Sequence, residues 1–156
     1  MAWCSIVVYS NNTNGKQSTF LSSRDNDGVC HHAHGQQFRK NASWQLLRCN
    51  PLRNDHCYYI QHKKSNQRDQ KSQHWLTVHP KHKENWIAVS SQEDEKSIWR
   101  LVSHNARNTT LYRVACYHSG SFAGWIGFDA HHKCNKLVDD IEQAVVYRFQ
   151  KMKHKP

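Results

Sequence analysis

Short runs in which apolar and polar residues alternate recur along the chain, separated by polar, turn-rich stretches. Period-two alternation over four to eight residues is the mark of a half-buried β-strand. One set of runs ends in an aromatic-x-apolar pattern: Ser43-Trp44-Gln45-Leu46-Leu47, Ile98-Trp99-Arg100-Leu101-Val102 and Val146-Tyr147-Arg148-Phe149-Gln150. A second set lies upstream: Phe20-Leu21-Ser22-Ser23, Trp75-Leu76-Thr77-Val78 and Trp125-Ile126-Gly127-Phe128. The upstream aromatics are 55 and 50 residues apart and the downstream ones 55 and 48, so the two landmarks keep step. Within each unit they stand 24, 24 and 22 residues apart.

Each unit also opens with a strand-like run, at Ile6 to Tyr9, Cys57 to Gln61 and Leu111 to Tyr117. A weaker run sits between the landmarks, clearest at Asn85-Trp86-Ile87-Ala88-Val89. Four strands per unit predict about twelve in all. No segment sustains a helical period; the nearest, Asp139 to Val146, is short and ends in β-branched residues. The units fall at about 1–53, 54–107 and 108–152 of one domain, with a basic C-terminal tail over 151–156.

Three four-stranded units of this length resemble the β-trefoil superfamily. The resemblance implies an all-β trefoil with pseudo-threefold symmetry, in which Trp44, Trp99 and Tyr147 meet in the core. It also implies a lectin-like protein, because ricin-type and mussel-type lectins share that fold. Tyr59-Ile60-Gln61-His62 and Val78-His79-Pro80 are similar to the Tyr-Ile-x-His and His-Pro stretches of the mussel-type lectins. The Gly-Gly that follows there is Lys81-His82 here, and the His-x-Asp-x-His stretch is Ser90-Ser91-Gln92-Glu93-Asp94. Ricin-type lectins carry Gln-x-Trp, but the Gln positions here are Ala42, Ser97 and Val145. Their sugar-binding Asp is replaced by Ser22, Thr77 and Gly127.

Composition narrows the picture. The 156 residues suit a single core. Leu, Ile, Val and Phe number only 29 and the net charge is +10, which approaches the disordered range. Six Trp and six Tyr argue for a folded, very polar domain. No apolar run approaches the roughly 18 residues of a membrane span. The N-terminus, Met1-Ala2-Trp3-Cys4-Ser5, lacks a basic n-region, so no signal peptide is expected and the chain is read as cytoplasmic or secreted without a leader. Without a leader its six cysteines are expected reduced.

A pyranose is bound by an aromatic ring against its apolar face and by polar groups that fork its hydroxyls. The second unit offers His79, Asn85 and Trp86 for this chemistry. The third offers Asp129, His131, His132 and Asn135, with Asp139 and Asp140 just beyond. The first offers Arg24, Asp25, Asn26, Asp27, His31 and His32. The expected function is therefore non-enzymatic, multivalent glycan recognition, with carbohydrate contacts at His79, Asn85, Trp86, Asp129, His131, Asn135, Asp139, Asp140, Asp27 and His31. Cell-surface or soluble glycans are the expected partners, and a homodimer is compatible with that use. Nothing in the sequence calls for specific nucleic acid.

The basic clusters Lys63-Lys64-Arg68-Lys71, Lys81-Lys83 and Lys151-Lys153-Lys155 support an alternative, electrostatic binding of sulfated glycans or anionic lipid, as in cytokine-like or hisactophilin-like trefoils. Protonating all 13 histidines would raise the formal charge from +10 to +23. Cys30-His31-His32-Ala33-His34 and His131-His132-Lys133-Cys134 carry zinc-type ligands but lack paired Cys-x2-Cys spacing. They belong to different units, expected to lie apart, so no metal or other cofactor is expected. No phosphate loop, nucleophile elbow or His-Glu-x-x-His helix is present, so no catalytic residues are assigned.

Overall fold

The computed structural model describes residues 3–9, 18–34, 41–49, 57–63, 74–78, 85–91, 97–105, 107–118 and 120–152. Twelve strands account for most of them: β1 (Trp3–Val8), β2 (Thr19–Ser23), β3 (Cys30–His34), β4 (Trp44–Arg48), β5 (Cys57–His62) and β6 (His74–Val78), followed by β7 (Ile87–Ser90), β8 (Ile98–Asn105), β9 (Asn108–His118), β10 (Ser121–Asp129), β11 (Cys134–Val138) and β12 (Tyr147–Lys151). The stretch with the nearest approach to helical pattern becomes a single 3-10 turn, Ile141–Gln143, with Asp140 as its N-cap.

Strands β1, β4, β5, β8, β9 and β12 pair in that order, and β12 returns to β1 along a five-residue ladder from Cys4↔Lys151 to Val8↔Tyr147. They close an antiparallel barrel. The other six strands lie outside it as the pairs β2–β3, β6–β7 and β10–β11.

This pairing corrects the expected fold class. A closed six-stranded barrel with six outer strands differs from the β-trefoil that the repeat suggested, although trefoils contain a barrel. The repeat counted strands and placed neighbours, but closure depends on backbone hydrogen bonds between chain segments far apart in sequence. The units are also unequal. The outer pairs join the barrel through one residue pair at β1–β2, two at β5–β6 and four at β9–β10.

The core follows from the alternation. Trp44, Trp99 and Tyr147 are fully buried, together with Ile6, Leu21, Ile60, Leu76, Ile87, Val114 and Ile126. The Trp44 and Trp99 indoles each find a polar partner: Trp44 Nε1 donates to the Leu21 carbonyl and Trp99 Nε1 to the Leu76 carbonyl, both at 3.0 Å. Burying an N–H without such an acceptor would cost about 1–3 kcal/mol. Among the small buried polar residues, Ser97 and Thr77 satisfy each other at 3.2 Å.

The outer strands β3, β7 and β11 converge on one another. Isolated bridges tie Val29 to Ala88 and Trp86 to Lys136, and Val29, Ala88 and Cys134 form a small apolar cluster against which Trp86 packs. Gly28 makes this approach possible. It has φ +72°, and a Cβ there would lie 2.9 Å from the Val89 carbonyl oxygen. Gly124, at φ +141°, sits at the bulge where the β9–β10 register shifts.

Candidate functional site

The convergence of β7 and β11 gathers residues that the sequence reading had assigned to two separate units. Trp86 leads into β7 and is half-buried, bridged through its backbone to Lys136 on β11. The Trp86 ring lies 5.4 Å from the His132 imidazole, tilted by 55°. The His131 and His132 rings meet edge-on at 4.8 Å, and both residues are exposed. Asn85 is exposed at φ 55°, and its carbonyl accepts from Leu137 N at 2.9 Å.

Asp129 ends β10, and the chain turns over the next four residues to Cys134, its partner on β11. Its Oδ1 accepts from the backbone N–H groups of His131 and His132 at 3.0 and 3.1 Å. Its Oδ2 faces His132 Nδ1 at 2.8 Å. The hydrogen bonds with His132 hold the Asp129 carboxyl below the usual carboxylate range. A carboxylate has about four lone-pair sites, and this geometry uses three of them, leaving one on Oδ2. A half-buried aromatic ring, a largely covered carboxylate and two exposed imidazoles thus lie side by side.

The remaining predicted residues among those described do not join this cluster. Asn135 is fully buried, with Nδ2 3.0 Å from the Gly127 carbonyl, the Tyr147 hydroxyl and His32 Nε2. It ties β11 to the core. Asp27 accepts from Val29 N at 3.0 Å and pairs with Arg24 at 3.1 Å, so it shapes the turn between β2 and β3. His31 is half-buried, and burial followed by the Arg24 charge lowers its pKa. Asp140 accepts from Glu142 N at 3.0 Å as the cap of the 3-10 turn, with Asp139 exposed beside it. His79 lies outside the described residues.

The two cysteine–histidine stretches, expected to lie apart, come together. Strand β3 packs on β11, and His32 stacks on Phe128 with centroids 4.5 Å apart and planes 10° from parallel. Its Nε2 lies 2.9 Å from the Tyr147 hydroxyl. Burial, then the neighbouring His31 and His34, lower the His32 pKa to about 4. Among the described residues, no group of three or more His, Cys, Asp or Glu is placed to hold a metal ion.

Sequence reasoning named Asn85, Trp86, Asp129, His131 and His132 but not Lys136, which completes the contact. No local signal marks Lys136, because the bridge joins residues 50 positions apart. Compared with known proteins, the chain matches no family model, and no curated protein is significantly similar to it.

Proposed function

We propose that this protein is a non-enzymatic carbohydrate-binding protein that recognises glycans at the surface where β7 meets the β10–β11 turn. The observation that supports this reading is the placement of Trp86 5.4 Å from His132, whose imidazole in turn meets the Asp129 carboxylate at 2.8 Å. The indole supplies an apolar platform for a sugar ring. The free Oδ2 lone pair and the exposed imidazoles supply acceptors and donors for hydroxyls. A single site of this kind binds weakly, so repeated presentation on a glycan-bearing surface would raise the avidity.

The net charge of +10 favours a second reading, in which the basic surface grips sulfated glycans or anionic lipid. Salt separates the two. A glycan array carrying neutral and sulfated glycans is read with EDTA at about 50 and about 500 mM NaCl, where screening lengths differ severalfold. Retained binding to a defined neutral sugar supports the proposed reading. Binding confined to sulfated glycans at low salt replaces it with the electrostatic one.

A further inference from the structure

We propose that Cys49 and Cys57 form a reversible cross-strand disulfide that clasps the end of the β4–β5 hairpin. Arg48 on β4 stands opposite Tyr58 on β5 in an antiparallel ladder, so the next residues along each strand, Cys49 and Cys57, face each other directly. Cys49 N–H donates to the Cys57 carbonyl at 3.2 Å, a single bond in the place of the next hydrogen-bonded pair beyond the end of the ladder. Residues paired in this way hold their Cα atoms about 5.5 Å apart. Disulfides span about 4.4 to 6.8 Å between Cα atoms. Directly opposite side chains also leave the same face of the sheet.

That face points outward. Cys57 stands opposite exposed Arg100 on β8, so Cys49, Cys57 and Arg100 form one row across the outside of the barrel. A guanidinium in the row is the kind of neighbour that reactive cysteines have. The other four cysteines are different. Cys4, Cys30, Cys116 and Cys134 are buried. Burial pushes the Cys4 and Cys116 thiols up to about 12 and raises that of Cys30 as well. Cys49 and Cys57 are both half-exposed. Thiol chemistry with a soluble oxidant is thereby concentrated on this pair.

The geometry also explains why the bond would be reversible. Opposite Cβ atoms in a hydrogen-bonded pair sit near the upper end of about 4.5–5.5 Å, whereas a relaxed disulfide needs about 3.5–4.5 Å. Closing the bond draws the strand ends together, and strained, exposed disulfides are the ones reduced most readily.

Glutathione disulfide serves as oxidant. One cysteine thiolate attacks it, forming a mixed disulfide and releasing one glutathione. The second thiolate attacks the protein sulfur of that mixed disulfide and releases the other glutathione. The protein loses two electrons and two protons, and the two released thiols carry them.

The test equilibrates the folded, full-length chain in buffers ranging from pure glutathione to pure glutathione disulfide. After acid quench, the free thiols are alkylated in denaturant and counted by intact mass, and the links are mapped by non-reducing digestion. The expected result is a fall from six alkylated thiols to four, with the peptides carrying Cys49 and Cys57 joined, and recovery of six after dithiothreitol. Cys49→Ser is expected to trap glutathione on Cys57, and Cys57→Ser to trap it on Cys49. Six free thiols in pure glutathione disulfide would overturn the proposal. So would a link between other cysteines such as Cys30 and Cys134, or glutathione on both Cys49 and Cys57 without a bond between them.

Discussion

His32 Nε2 lies 2.9 Å from the Tyr147 hydroxyl, although 115 positions separate the two residues. Asn135 completes the arrangement. Its two Nδ2 hydrogens serve the Gly127 carbonyl and the Tyr147 oxygen, and the Tyr147 hydroxyl then donates to His32. This chain of bonds needs a neutral His32 with Nε2 as acceptor. It fastens β3 and β11 to the barrel strand β12.

Acid should therefore loosen the fold. The His32 pKa is lowered to about 4, whereas an unfolded histidine titrates near 6.5. The unfolded state then binds more protons between those values, so stability is full above about pH 6.5 and is lost as pH falls toward 4. The loss is about 3 kcal/mol at most. The lowered pKa values of His31 and Asp129 act in the same direction as pH falls. Urea melts at about pH 7.5, 5.5 and 4.5, which bracket the titration range, check this, and His32→Gln, which keeps an acceptor, should flatten the dependence. Equal stability at all three would contradict it.

Gly28→Ala should destabilise strongly. The left-handed φ of +72° disfavours any Cβ, and the added methyl would meet the Val89 carbonyl oxygen at 2.9 Å. Backbone strain and displacement of the Val89 N to Gly28 O bond together cost about 2–4 kcal/mol. Thermal unfolding measures the effect.

Trp99→Phe should cost about 2 kcal/mol, because the Leu76 carbonyl loses its buried donor and the smaller ring leaves space. Trp44→Phe should cost a similar amount through Leu21. Denaturant titrations of the two variants provide the comparison, and a neutral result for either would show that its indole N–H bond does not carry weight.

The strand positions were legible because burial imposes alternation. Trp44, Trp99 and Tyr147 fall at zero exposure, where a residue repeating in step with its strand belongs. The first strand was read at Ile6 to Tyr9 and runs over Trp3–Val8; β7 was read from Asn85 and begins at Ile87, because the left-handed Asn85 cannot continue a strand. Closure of the barrel was not legible, since the β1–β12 ladder joins the two ends of the chain. The same limit applied to the site. Composition flagged Trp86 and Asp129 alike with Asp27, Asp140 and Asn135, but only the packing of β7 on β11 separates a shared surface from turn caps and a buried amide.

Asp129→Asn should keep the turn, because an amide oxygen still accepts from His131 N and His132 N. It removes the charge that faces His132. Glycan affinity is expected to fall about tenfold or more with little change in melting temperature, as charge-assisted hydrogen bonds are the stronger ones.

The most direct test compares glycan-array binding of the wild-type chain and Trp86→Ala at about 500 mM NaCl, where electrostatic attraction is screened. Circular dichroism confirms that the variant is folded. The prediction is binding of a neutral glycan by the wild-type chain that falls about tenfold or more in Trp86→Ala, the loss expected on removing an aromatic platform. Undiminished binding by the folded variant, or no neutral glycan bound by the wild-type chain, would contradict it.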